Sequence, residues 1–277
     1  MFCQDQIDHY YDQGYLITEA IDSNLLERLR AFSSLEAAKE QTANPNGNGA
    51  AITVAIKPGP IVDYLVSPHV LGAVQDLLGP EVHGLSLLLR LGHYTRSYKM
   101  LWHRDGMDRY RTVEEEMKIL TGRLRTVQWH CALYDDDCFR FVPGSHRRPI
   151  SAEELAYFKE DPHGDLPHQK VAELRTGETL YFNSLLLHQG AYKQGQRRET
   201  LAVGCRARSV PGNPSYHNHK QYMLEPGFVE IFPVELRPWL ENSIKLIHDS
   251  KAGCTPKGDE LGSKAYMEMV LGLDASD

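Results

Sequence analysis

The sequence contains no CxxC pair. Its five cysteines, Cys3, Cys131, Cys138, Cys205 and Cys254, are odd in number and scattered. That excludes a disulfide framework and a thiolate zinc site, and leaves reduced, small apolar side chains. Long apolar runs are missing as well: the greasiest stretch, Leu85 to Leu91, is broken by Arg90, far short of the ~20 residues a membrane-spanning helix needs. Positive charge is not in excess, since 30 Lys and Arg stand against 37 Asp and Glu for a formal net charge of -7. A nucleic-acid or anionic-membrane binder would show a basic face instead. The opening residues, MFCQDQIDHYYDQGY, carry acids and amides where a secretory leader has a basic start and an apolar core, so a cytoplasmic protein is expected. Repeats and low-complexity linkers are also lacking.

What remains is an ordinary globular composition, 42% hydrophobic and 24% charged, that fits one domain over residues 1–277. Residues 1–81 read as helix (Asp5 to Tyr11), short strand (Gly14 to Ile17) and helix capped by Asp22-Ser23. A second helical pattern, Leu35 to Gln41, stops at the turn cluster Asn44 to Gly49. Ile52 to Ile56 reads as a strand, and Ser67-Pro68 opens a helix that ends at Gly79-Pro80. Over 82–208 the texture is β-rich, with runs at Leu85–Leu91, Arg125–Leu133, Arg140–Val142, Val171–Leu174, Thr179–Leu186 and Thr200–Arg206. Short strands at this density predict a sandwich or jelly roll. A helical insert at about 109–124, centred on Thr112 to Leu120, interrupts them. The tail 209–277 carries an amphipathic helix from Pro233 to His248.

Chemistry concentrates at Trp102-His103-Arg104-Asp105. On a strand, residues two apart share a face, so His103 and Asp105 present an imidazole and a carboxylate side by side. His188, at the end of the apolar run Leu180 to Leu187, supplies a second imidazole. Two histidines and one carboxylate form the face that holds non-haem Fe(II) with open positions for co-substrate and oxygen. A hairpin centred near Lys193 would return Arg198 opposite His188, where a guanidinium suits a bidentate grip on a dicarboxylate such as 2-oxoglutarate. Arg197, of opposite parity, faces solvent.

In this order the motifs resemble the phytanoyl-CoA dioxygenase family of Fe(II)/2-oxoglutarate-dependent oxygenases, over most of the chain. The likeness rests on Gln6 to Ile17 with Gly14-Tyr15, on Trp102-His103-Arg104-Asp105, on Asp135 to His146 ending in Arg140-Phe141-Val142-Pro143-Gly144-Ser145-His146, and on Gly177-Glu178-Thr179-Leu180-Tyr181-Phe182. It implies a mainly β, double-stranded β-helix (jelly roll, cupin-like) with flanking helices. It further implies iron on His103, Asp105 and His188, Arg198 on the distal carboxylate of 2-oxoglutarate, and O2 as oxidant, with release of succinate and CO2. Gln128 resembles an inward amide that contacts the other end of 2-oxoglutarate in some members; Lys99 and His130 are further pocket candidates. His146 reads as a structural turn residue. Two departures stand out, Asp137-Cys138 before the Val-Pro-Gly-Ser-His run and Gly190 where a small hydroxyl often sits. Because Asp105 is retained, hydroxylation or another oxidative step is expected and halogenation is disfavoured.

Arg90, Arg96, Lys99, Arg104, Arg109 and Arg111 cluster around the metal motif in sequence, which suits an anionic small-molecule substrate. Two other readings use the same residues: a redox-inert jelly-roll enzyme holding zinc or manganese, and a catalytically silent ligand-binding protein of the same fold. No apolar stripe marks an interface, so monomer and small homo-oligomer stand equal.

Overall fold

A computed structural model describes residues 2–43, 51–92, 96–105, 113–122, 126–209, 218–251 and 270–271. Helix α1 (Gln4–Gln13) leads into β1 (Tyr15–Thr18) and the long α2 (Ser23–Ala43). Then come β2 (Ile52–Thr53), α3 (Pro60–Leu65), α4 (Pro68–Leu78), β3 (Val82–Leu91), β4 (Tyr98–Lys99) and α5 (Val113–Leu120). The second half holds β5 (Thr126–Ala132), β6 (Asp136–Phe141), α6 (Ala152–Glu160), β7 (Lys170–Leu174), β8 (Thr179–Asn183), β9 (His188–Tyr192), β10 (Glu199–Ala207) and α7 (Arg237–Lys251).

The strands form two antiparallel sheets, one ordered β1-β8-β5-β10-β3-β2 and the other β4-β9-β6-β7. This is the expected jelly roll. In the larger sheet, side-chain alternation sends Leu87, Leu89, Val127, Trp129, Tyr181, Leu201 and Val203 outward against the helices, where they bury with Leu29, Val62, Val70, Val74, Trp239 and Leu240. The opposite parity points into the sandwich. There Leu180 and Phe182 meet Phe139 and Phe141 of the smaller sheet and Leu186 of the loop before β9. The larger sheet is thus covered on both faces, and β10 is buried along almost its whole length. No helix among the described residues is long and apolar enough to cross a membrane.

Several local expectations need correction. The two helical patterns of residues 23–41 are one continuous α2. The apolar run after Thr179 does not continue as a strand to His188. It stops at Asn183, whose side-chain oxygen accepts from the Leu185 N–H and whose carbonyl accepts from Leu186, making a tight turn. His188 instead opens β9, which was not among the expected strands. The 193–197 connection is not a two-strand hairpin: β9 pairs with β4 and β6, whereas β10 pairs with β3 and β5. The chain crosses there from one sheet to the other, as a sandwich requires. Helix α6 was not foreseen, although Ser151 and Glu154 form a reciprocal capping box at its start. Helix α3, opening on Pro60, has no counterpart among the expected elements. Of the insert expected at about 109–124, the described helix is Val113–Leu120, and the C-terminal helix starts at Arg237 rather than Pro233.

Gly14 ends α1 in the left-handed region (φ 84°), its N–H donating to the Tyr10 carbonyl at 2.8 Å. An added Cβ would lie 2.5 Å from His146 Nδ1 and 2.7 Å from Leu186 Cδ1. Left-handed strain and overpacking therefore act together, and Gly14→Ala should destabilise the fold by about 2–4 kcal/mol, measured by denaturant unfolding. The same contact gives His146 its structural role, with Nε2 3.0 Å from the Tyr11 carbonyl oxygen.

Candidate metal centre

His103 and His188 face each other as an isolated antiparallel bridge, their backbone N–H and C=O groups exchanging bonds of 3.0 and 2.9 Å. Two residues on, the Asp105 N–H donates to the Ser184 carbonyl at 2.7 Å, which seats the motif against the turn before β9. One potential ligand atom from each of His103, Asp105 and His188 lies within 4.8 Å of the others, and the Asp105 oxygens stand 3.7 Å from His103 Nε2 and 3.6 Å from His188 Nε2.

The tautomers follow from the backbone. Nδ1 of His103 lies 2.8 Å from the Leu101 carbonyl oxygen and Nδ1 of His188 lies 2.7 Å from that of Leu186. A carbonyl only accepts, so each Nδ1 carries a proton and each Nε2 is the nitrogen left facing Asp105. Burial, reinforced by the neighbouring His188, lowers the His103 pKa to about 4, which keeps its ring neutral. Burial alone would raise the Asp105 carboxyl. The hydrogen bond and charge of His188, with His103 and the amide of Gln128, outweigh it and hold the group well below the usual carboxylate range. Two imidazole nitrogens and one ionised carboxylate suit a divalent metal of the first transition series.

The walls of the centre are aromatic. The His188 ring stacks on Phe139 at 5.2 Å and 19°, and Phe182 sits 5.4 Å away. A cleft beside His103 and His188 opens to solvent, its space counted together with that solvent being about 360 Å³. It is lined by His103 and His188, by Gln128, His130, Arg90 and Arg198, and by Met100, Phe139, Phe182 and Gly190. A Cβ on Gly190 would lie 3.0 Å from Met100 Sδ, so a side chain there would displace Met100.

Arg198 lies in this cleft, but it arrives across the sandwich rather than through a hairpin. Its Nε donates to Asp136 Oδ2 at 3.1 Å and one Nη donates to the Tyr98 hydroxyl at 2.9 Å, while Thr200 also hydrogen-bonds Asp136. Both charged side chains are 3% exposed. Burial disfavours the Asp136 carboxylate, yet the Arg198 charge prevails and lowers its pKa to about 2. Neither Asp136 nor Tyr98 was singled out in the sequence. Tyr98 was recoverable from strand parity, since on β4 it and Lys99 point to opposite faces.

Gln128 reaches the cleft and meets a ligand directly: its amide N–H donates to Asp105 Oδ2 at 2.8 Å. It orients the carboxylate. Lys99 is a correction, because its ammonium lies on the outer side of β4, paired with Asp165 at 3.0 Å, and it lines a surface groove instead of the cleft. Arg104 departs from the expected basic patch too. It is fully buried and donates to the carbonyls of Ser145, Leu185 and Arg148, so it ties the ligand loop to two others. Arg96 is exposed, and Arg109 and Arg111 lie outside the described residues. Buried Cys131 and Cys205 have thiol pKa values raised by burial, as expected of inert core cysteines.

No protein-family model matches the sequence, and neither does any curated protein. Solved structures share its fold. The non-heme alpha ketoglutarate dependent carbocyclase SnoK from nogalamycin biosynthesis superposes with a TM-score of 0.56 at 17% identity, over 80% of this chain and 90% of SnoK. EctD from S. alaskensis, solved with 2-oxoglutarate and 5-hydroxyectoine, gives a TM-score of 0.55 at 17% identity, over 85% of this chain and 86% of EctD. The non-heme alpha ketoglutarate dependent epimerase SnoN, also from nogalamycin biosynthesis, gives 0.51 at 17% identity, over 73% of this chain and 81% of SnoN. The chain therefore has the mainly antiparallel, helix-flanked fold of these enzymes.

Proposed function

We propose that this chain is a non-haem iron(II) oxygenase that oxidises a C–H bond of a small molecule by hydroxylation, consuming 2-oxoglutarate and O2 and releasing succinate and CO2. One observation carries the reading: His103, Asp105 and His188 converge beside a cleft that His103, His188 and Arg198 line. Bound iron would supply the oxygen activation that no side chain provides. The donor set fits it, since three protein ligands on one face leave positions open for a chelating oxo acid and for oxygen.

The protein's own residues bind, orient and shield. With their Nδ1 protons committed to carbonyls, His103 and His188 turn Nε2 toward the metal position. Asp105 brings the single negative charge of the set, and Gln128 fixes which of its oxygens is engaged. Arg198, pinned through Nε by Asp136, presents its remaining N–H groups to a carboxylate. Phe139 and Phe182 keep water from the ligands on their side. Retention of Asp105 leaves no vacancy for a halide, which favours hydroxyl transfer.

An anaerobic titration with Fe(II) and 2-oxoglutarate tests the reading. The weak visible charge-transfer band of the chelate should appear in wild type, and Arg198→Ala should need roughly 10-fold or more extra co-substrate to produce it, the loss of a charge-assisted hydrogen-bonding partner. A folded, iron-loaded wild type with no band would instead support the redox-inert metal enzyme.

A further inference from the structure

Arg104 stands between two of the candidate ligands in sequence, yet its guanidinium is not among the groups that line the cleft. The side chain is fully buried. A guanidinium keeps its charge at any ordinary pH, and burying one is unfavourable unless its N–H groups are well placed. One Nη donates to the Leu185 carbonyl at 2.6 Å and to the Ser145 carbonyl at 2.7 Å, and the other donates to the Arg148 carbonyl at 3.0 Å. Tying loops together needs no charge. A rigid planar fork that meets three carbonyls in fixed directions does more, because it aligns them.

Two of those contacts bracket a single residue, Leu186. Its carbonyl oxygen lies 2.7 Å from Nδ1 of His188, the contact that sets the direction of that ring. On one side of Leu186, Arg104 holds the Leu185 carbonyl. On the other, the Leu187 N–H donates to Ser145 Oγ at 2.8 Å, and Arg104 holds the carbonyl of the same serine. The Asp105 N–H takes the Ser184 carbonyl. The carbonyls of residues 184, 185 and 186 are thus engaged in turn by Asp105, Arg104 and His188, so the segment that bears two ligands dictates the aim of the third. Metal ligands must be held within about 0.5 Å and 10–20° of their working geometry, which a free turn does not ensure.

We propose that Arg104 is a positioning residue for the His188 ligand: by fixing the main chain on both sides of Leu186, it holds the carbonyl that orients the His188 imidazole toward the metal position. The proposal rests on the metal-binding part of the function proposed above and is independent of the co-substrate.

The test is a double-mutant cycle on Co(II) affinity, read by anaerobic visible titration of the metal-free full chain, with the thermal transition of each metal-free variant beside it. Arg104→Lys keeps the charge but not the fork, and should weaken Co(II) roughly 10–100-fold, the usual effect of losing an outer partner of a metal ligand. Arg104→Met, which removes the charge as well, should weaken it at least as much. In a His188→Ala background most of that loss should vanish, because the ring that Arg104 aligns is gone. At saturating Co(II), the visible bands of Arg104→Lys should differ from those of wild type, since one imidazole is turned from its direction. A role confined to the fold predicts a lowered thermal transition with affinity and bands intact. Unchanged affinity, a loss of equal size in both backgrounds, or bands identical with wild type would overturn the positioning role, as would failure of both variants to fold in the cold. Wild-type protein that takes up no Co(II) would refute the metal centre itself, before any variant is made.

Discussion

Replacing His188 with alanine should abolish turnover and weaken Fe(II) binding by more than the roughly 10–100-fold typical of losing a mere outer partner of a metal ligand. His188 Nε2 is one of only two imidazole donors in the set. The fold should survive the change. The bridge between the ligand segments is carried by backbone groups, His103 N–H to His188 C=O and the reverse, which alanine retains. The ring leaves a gap beside Phe139 and Phe182, a packing loss and not an unpaired charge. Metal content after dialysis, read beside the thermal transition of the metal-free protein, separates the two effects. Retention of near-stoichiometric iron by a folded variant would remove His188 from the set of ligands.

Asp136→Asn should be the most destabilising single change among the polar groups of the cleft, at about 3–5 kcal/mol, because it strips a buried guanidinium of its counter-charge. The pH dependence identifies the cause. The Asp136 carboxyl has a pKa of about 2 in the fold, below the ordinary carboxylate value of about 3.9 in an unfolded chain. A lowered acid contributes stability that is fully present above the unfolded value and is lost as pH falls through the folded one. The advantage of wild type over Asp136→Asn should therefore be constant from pH 7 down to about 4 and shrink as pH approaches about 2. Urea unfolding of both proteins across that range reads it directly. A difference that persists undiminished at the acid end would place the origin in packing or in the Thr200 hydrogen bond.

The legible part of this site was the part set by local periodicity. The spacing of His103 and Asp105 put two ligand types on one face, and the β-rich texture after Val82 gave the sandwich. What escaped depended on residues far apart in sequence. Strand β9 was hidden because His188-Gln189-Gly190-Ala191-Tyr192 lacks the β-branched residues that mark strands, and it forms through pairing on both sides with β4 and β6. Arg198 was placed in the site for a reason that does not hold, since the neighbourhood comes from two sheets facing each other. Asp136 was invisible for the same cause: it stands in an acidic run, and only tertiary packing turns it inward to Arg198. Helix α6 was missed despite a readable Ser151-x-x-Glu154 signal, which was overlooked rather than absent.

The crossing of the chain between sheets at 193–197 has one more consequence. His188 belongs to the smaller sheet, while Arg198 is held by the larger one, so the thickness of the sandwich acts as a caliper between the candidate metal ligands and the guanidinium. The spacers that set its gap are Phe139, Phe141, Leu180 and Phe182. Under the proposed function, chain-length discrimination among oxo diacids would be written into hydrophobic core volume, and a repacked core would shift it without altering any charged residue.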